Sequence, residues 1–491
     1  MTEENLHFDV LIVGAGLSGV SAAYHLQTRC PTKRYAILEG RERLGGTWDL
    51  FRYPGIRSDS DMYTLGYSFR PWTNPKAIAD GPDILAYIRE TAEAYGIDEH
   101  IRFQKRAVRA RWSSEEARWS VEVLDGATGE TEVYTAGFVY MCSGYYDYDA
   151  GYTPEFEGRE RFEGLVVHPQ KWPEGLDVTG KRVVVIGSGA TAVTLVPALA
   201  KTAAHVTMLQ RSPTYVLSVP ARDRVADWLR ARVSDEAAYD VVRWKNVLVG
   251  MSFYAYCRRF PAHAKGLLVG LARKALGGDR EAAQGFTPRY DPWDQRLCMV
   301  PDGDLFDALR AGSASVVTDR IARFTERGLE LESGARLDAD IVVTATGLSL
   351  KFLGGMKVEV DGKDVEPAKT MTYKGMMCGD VPNLALAVGY TNASWTLKCD
   401  LTSEYVCRLI NHMDARGYSA CYPHNDDPTV REIPLLDFSA GYVLRALDRL
   451  PKQGSRAPWR LYQNYVLDRV ALRHAAVDDG VMRFTKRATV A

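Results

Sequence analysis

The chain of 491 residues has no excess of either charge: 61 lysines and arginines stand against 62 aspartates and glutamates, a formal net charge of −1. No global field would steer it to nucleic acid, which is not an expected partner, or to an anionic membrane, so a basic partner site has to be local. Paired cysteines are also missing. The eight cysteines, at positions 30, 142, 257, 298, 378, 399, 407 and 421, form no C-x-x-C pair and no cysteine/histidine metal spacing. That argues against a redox disulfide, a structural zinc or any other metal site, and for a reduced, cytoplasmic protein. No apolar stretch approaches the roughly 20 residues of a spanning helix; the nearest, Asn246 to Cys257, is closed by Arg258 and Arg259. The run FDVLIVGAGLSGV is broken by three glycines, and the N-terminus carries Glu3, Glu4 and Asp9 rather than a basic region, so neither a signal peptide nor an anchor is expected. Low-complexity segments and short-period repeats are absent.

What is present is ordinary globular material, 46% hydrophobic and 25% charged, with length for about three domains or two large ones. Two segments share one grammar. FDVLIVGAGLSGVSAAYHL (8 to 26) and KRVVVIGSGATAVTLVPAL (181 to 199) each run from a β-branched strand through a glycine turn into an alanine-rich helix. The expected fold is therefore α/β, with two Rossmann-like, doubly wound dinucleotide-binding domains. Residues 222–285 have few strand formers and helical apolar spacing, which predicts a helical insertion in the second domain. The division expected is 1–145 with 351–491, then 146–221 with 286–350, and 222–285 inserted.

In the first turn Gly14, Gly16 and Gly19 fit G-x-G-x-x-G, and Glu39 follows twenty residues later at the end of YAILE. A carboxylate there accepts hydrogen bonds from ribose hydroxyls and repels a 2′-phosphate, which suits FAD or NAD. The second turn offers Gly187, Gly189 and Ala192, and its following strand ends in Arg211. A guanidinium suits a 2′-phosphate, so this site should take NADPH. One FAD site and one NADPH site imply hydride transfer from nicotinamide to flavin.

Between the turns stands FEGLVVHPQKWP, with Phe162, Gly164, His168, Trp172 and Pro173 in the spacing F-x-G-x-x-x-H-x-x-x-W-P. With GGTWDLFRYPGIRSDSDMYTLGYSFRPW, CSGYYDYDAGYTP, QRSPTY, PWDQRLCMVPDGDLF and GYTNASWTLKCD, this resembles the flavin-dependent Baeyer-Villiger monooxygenases, in the branch of the ethionamide monooxygenase. The resemblance implies that NADPH reduces FAD, that O2 adds to give a C4a-peroxyflavin, and that this species converts ketones to esters or lactones or oxygenates sulfur. Substrates would be small ketones or sulfides and O2, and the protein a monomer or small homo-oligomer. Simpler N- or S-oxygenating flavin monooxygenases and NADPH:acceptor reductases would use the same two sites.

Carried over by position, Arg296 matches the family's catalytic arginine and Asp59 the acid that pairs with it; a structural ion pair is the plainer alternative. The FAD positions are Ser18, Glu39, Thr47, Trp48, Asp49, Leu50 and Asp59, with a backbone contact near Ala107. The NADP positions are Arg57, Ser58, the turn Gly187, Ser188, Gly189, Ala190, Thr191, Ala192 and Val193, then Arg211, Ser212, Arg296 and Trp395. Trp395 either swings onto the nicotinamide ribose or packs in the core. His168 belongs, in the family, near the domain linkers rather than at the flavin, and Trp172 reads as a packing anchor. Many members place a lysine before the catalytic arginine; here Gln295 stands there, leaving Arg211 as the main charge for NADPH.

Residues 241–278 carry seven lysines and arginines and no acid. Such a segment either lies on an anionic membrane surface or, the reading favoured, forms a lid over the substrate tunnel.

Overall fold

A computed structural model describes residues 6–436 and 438–487, and the chain folds around two sheets with parallel cores. In the first, strand His7–Val13 lies parallel to both Tyr35–Leu38 and Thr131–Met141. Val10, Leu11 and Ile12 are buried, as an apolar strand covered on both faces requires. Helix α1 (Leu17–Arg29) crosses from one strand to the next. Strands Lys105–Ser113 and Arg118–Asp125 extend the sheet as an antiparallel meander. Two strands from far along the chain complete it: Lys357–Val360 beside Lys105–Ser113, and Leu384–Leu386 beside the end of Thr131–Met141. The chain thus leaves this sheet after Met141 and returns at Lys357.

The second sheet has five parallel strands in the order Ala314–Thr318, His205–Gln210, Arg182–Ile186, Ile341–Thr344 and Leu165–Val167. Its glycine turn opens helix α2 (Ala190–Leu199). An antiparallel meander over 321–338 closes one face by packing Phe324, Leu329 and Leu331 against Ile186 and Leu209.

Within 222–285 lie α3 (Asp235–Arg259), α4 (Pro261–Ala275) and two shorter helices. This segment does not belong to the second half alone. Tyr239, Val242 and Val247 join the core around α1, whereas Ala272 and Leu276 join the core of the second sheet. The division follows from two separate apolar stretches in the segment, each meeting a different neighbour. The basic run is also less exposed than its composition implies: Arg243 is buried and donates to the Tyr63 and Gly66 carbonyls, and Lys245 pairs with Asp223. Further along, α5 (Trp395–Arg416) is largely buried and packed along α1, with Asp400 accepting from the Ser21 hydroxyl at 2.6 Å. Among the described residues no helix is long and apolar enough to cross a membrane.

Candidate active site between two glycine turns

A cavity of about 1120 Å³ lies between the sheets, and both glycine turns line it. That exceeds the roughly 300–1,000 Å³ of a site for one drug-sized ligand.

At the first turn Gly14 has φ +105°, and a Cβ there would stand 2.6 Å from the Cys142 carbonyl oxygen; one on Gly19 would meet the Gly14 oxygen at 1.9 Å. The positions exclude any side chain, which leaves a cradle of bare backbone at the start of α1. Gly16 faces Gly46 across it. Glu39 is 6% exposed. Its Oε2 accepts from the Ala15 N–H at 2.8 Å and its Oε1 from the Arg41 N–H at 3.0 Å. Burial pushes the carboxyl up, and these two donors pull it back. Ser18, Thr47, Trp48 and Ala107 also line the cavity, as do Ser58 and Asp59. A side-chain-free cradle with a buried carboxylate behind it fits a dinucleotide whose ribose is unphosphorylated.

Asp49 and Leu50 stand behind this wall rather than in it. Asp49 is buried and gathers Arg41 at 2.8 Å, Arg43 and Arg52 at 3.3 Å, and Arg89 at 3.4 Å. It holds the loop that carries Thr47 and Trp48, while Leu50 packs against the second core.

The second turn repeats the device: Gly187 has φ +132°, and a Cβ would meet the Ala345 oxygen at 2.3 Å. Gly187, Ser188, Gly189, Ala190 and Thr191 line the cavity, as do Arg211 and Ser212. Ala192 and Val193 turn into the core instead. Ser188 Oγ donates to the Ser212 carbonyl at 3.2 Å. Because Thr318 stands opposite Gln210 in the parallel pair, the following residues Asp319 and Arg320 come beside Arg211 and also line the cavity. An exposed guanidinium at the rim fits a 2′-phosphate. Arg57 lines the cavity, but its guanidinium is engaged by both Asp304 oxygens.

Between the turns Arg296 Nε meets Asp59 Oδ2 at 2.7 Å. The aspartate holds the guanidinium pKa above its ordinary value, so Arg296 is charged at every working pH. Tyr145 and Tyr146 share a 2.7 Å hydrogen bond, and Tyr442 lies close by. Burial pushes all three phenols upward, which keeps them neutral. Trp395 stacks on Tyr145, centroids 4.9 Å apart, and donates from Nε1 to Ser18 Oγ at 2.9 Å. The glycine and fingerprint motifs do not point to these tyrosines or to Arg320. The density of Tyr145, Tyr146, Tyr148 and Tyr152 in eight residues was the available signal for the first group.

The fingerprint residues do not line the cavity. Phe162 packs on Phe324, and a Cβ on Gly164 would meet the Asp340 oxygen at 2.5 Å. His168 sits where the chain crosses between the sheets. A Cβ on Gly151 would stand 2.0 Å from its ring, and its Nε2 lies 3.4 Å from the Gly347 carbonyl oxygen. Burial holds its pKa below the ordinary histidine value. Trp172 packs against the second core, and the Pro173 carbonyl accepts from Leu176. Among the described residues no cluster of metal-ligating side chains occurs.

Two dinucleotide folds facing one cavity, with a guanidinium–carboxylate pair between them, define a flavoprotein that works with FAD and NADP. Comparison with known proteins is more specific. The NAD(P)-binding Rossmann-like domain matches residues 12–77, and the flavin-binding monooxygenase-like family matches residues 71–228. The FAD-containing monooxygenase EthA of Mycobacterium tuberculosis is 56% identical over 488 residues, 99% of each chain. Its namesake in Mycolicibacterium smegmatis is 54% identical over 492 residues, 100% of this chain and 99% of that one. The probable FAD-binding monooxygenase AlmA of Acinetobacter baylyi is 48% identical over 483 residues, 98% and 97% of the two chains. The chain belongs to this family of FAD-containing monooxygenases. In fold it is similar to an oxidized steroid monooxygenase bound to NADP, with TM-score 0.77 and 23% identity over 98% of this chain and 100% of that one. An open structure of cyclohexanone monooxygenase aligns with TM-score 0.73 and 21% identity over 86% and 90%.

Proposed function

We propose that the chain is a Baeyer-Villiger monooxygenase: ketone, O2, NADPH and a proton give ester or lactone, NADP⁺ and water, and thioethers or thioamides are oxygenated at sulfur at the same site. The observation that carries this is the Arg296–Asp59 pair, fixed at 2.7 Å in the cavity that both nucleotide turns share. Bound FAD supplies hydride acceptance from NADPH and activation of O2. Arg296 supplies a fixed positive charge where negative charge develops, and Asp59 orients it, so little reorganisation accompanies the reaction. Tyr145, Tyr146 and Tyr442 stay neutral, offer hydroxyl groups beside Arg296 and keep water out. Glu39 receives the FAD ribose beside Ser18, Thr47, Trp48 and Ala107. Arg211, with Ser188, Ser212 and Arg320 around it, receives the 2′-phosphate, and Arg320 offsets the charge that Gln295 does not provide. His168 acts through the crossing between the two halves, not by proton transfer to substrate. Residues 1–145 with 351–491 form the FAD-binding unit, and 146–221 with 286–350 the NADPH-binding unit. Eight unpaired, buried cysteines suit a reducing cytoplasm.

A panel of ketones and thioethers, supplied with NADPH under ¹⁸O2, tests this by product mass. Esters carrying one ¹⁸O are expected. NADPH oxidation that yields only peroxide with every ketone would overturn it, and sulfoxide without ester would leave a sulfur oxygenase.

A further inference from the structure

A second cleft of about 520 Å³ lies away from the nucleotide cavity, between α1, α3 and the segment that follows α5. Its walls are aromatic. Tyr24 stacks on Phe69 with centroids 3.5 Å apart, and Trp244 meets Tyr465 at 5.7 Å. On its floor both ring nitrogens of His25 and Nη2 of Arg243 are buried without a close hydrogen bond, and Asp400 is the carboxylate that faces them. Asp400 lies 3.8 Å from His25 and 3.6 Å from Arg243. The cleft's own carboxylates are Glu404, held by Arg29 and Arg473, and the exposed Asp240. Arg469 stands at the rim, 5.3 Å from the Trp244 ring, and no carboxylate pairs with it among the described residues. Arg243 is met by Asp400, and Arg29 and Arg473 by Glu404, so Arg469 is the guanidinium left over at the rim, and an anion would complete it.

The surroundings say which anion. Val241, Leu248 and Val249 of α3 and Val466, Leu467 and Val470 of the facing segment are 37–61% exposed. The Trp244–Tyr465 contact joins the two elements that carry them, and the run 241–278 brings no carboxylate to repel an anionic surface. Arginines bordering an exposed apolar face match the interface of an anionic bilayer, with phosphate on the guanidinium and apolar side chains at the acyl boundary.

We propose that this cleft takes the phosphate of an anionic membrane lipid and docks the α3 face of the enzyme on the bilayer surface. The proposal is independent of the oxygenation chemistry. The test is sedimentation of the FAD-loaded full chain with phosphatidylglycerol or phosphatidylcholine vesicles at low salt. Binding to phosphatidylglycerol alone is expected. Arg469→Ser should weaken it about fivefold, Arg469→Lys should retain most of it, and Leu467→Ser should also weaken it. NADPH-dependent turnover without vesicles should be unchanged in all three variants, which reports an intact fold. Equal binding to both lipids, no binding to phosphatidylglycerol, or binding indifferent to Arg469→Ser would overturn the proposal. Thermal stabilisation by inorganic phosphate without vesicle binding would do the same, by assigning the cleft to a soluble phosphate.

Discussion

The two glycine turns follow one backbone pattern and end in opposite surroundings. Gly14 and Gly187 both adopt positive φ and both press against a carbonyl of the neighbouring strand's end. Around the first turn, however, Glu39 is buried on two backbone donors, the 45–48 loop is clamped through Asp49, and Trp395 closes over Ser18. Around the second, Gly189 and Ala190 are exposed and Arg211 stands at the rim. A closed cradle suits a cofactor that stays, and an open one suits a coenzyme that enters and leaves in each cycle. The lesson is that the turn supplies only the anion-binding backbone, while what packs around it sets how long a ligand remains.

The comparison can be broken most severely at the pair between the two turns. Arg296→Ala should keep FAD in its closed site, seen in the visible spectrum, yet lower ester formation about 10²–10³-fold; unchanged turnover would remove the role assigned to it. Next comes the acid sensitivity of the closed half. Burial raises the Asp400 carboxyl, but His25, Arg243 and the Ser21 hydroxyl outweigh it and hold the pKa at about 2. Its folded value lies below its unfolded one, so the stabilisation is complete above about pH 4 and fades as pH falls through about 2. Melting curves should show a loss of about 2 kcal/mol from this group over that window, and Asp400→Asn should flatten the slope. Glu39→Ala should leave the Ala15 and Arg41 donors unmet and weaken FAD retention by about 2 kcal/mol, measured as flavin content after gel filtration, with the NADPH KM little changed. At the open turn, Arg211→Ala should raise the NADPH KM about tenfold and leave the NADH KM where it was. Arg320→Ala should show the same selectivity with about a threefold effect; equal effects on both coenzymes would assign it elsewhere.

Much of the first level was legible in the chain. Both turns, the strands that feed them, Glu39 and Arg211 could be read because a tight turn needs glycine and the next strand places its last residue at a set distance. Ala192 and Val193 follow the second turn and Leu50 follows Thr47 and Trp48, but all three face a core, since which side of a loop or helix meets the cavity depends on what packs behind it. The insertion was legible as helices and not as a bridge between two cores. The basic character of 241–278 was legible in composition, but the burial of Arg243 and the pairing of Lys245 with Asp223 were not.

The sequence by itself determined the two glycine turns, the charge that follows each and the absence of paired cysteines, because these are local requirements of backbone geometry and chemistry. Only the tertiary structure decided that Tyr442 stands beside Tyr145 and Tyr146 and that the strand ends leading to Arg211 and Arg320 lie side by side, and it gave the Arg296–Asp59 pair, expected from the family resemblance, its 2.7 Å geometry across 237 positions of chain. Those neighbours are set by the order of strands in two sheets and by helices packed across them, interactions between residues hundreds of positions apart that no local pattern encodes.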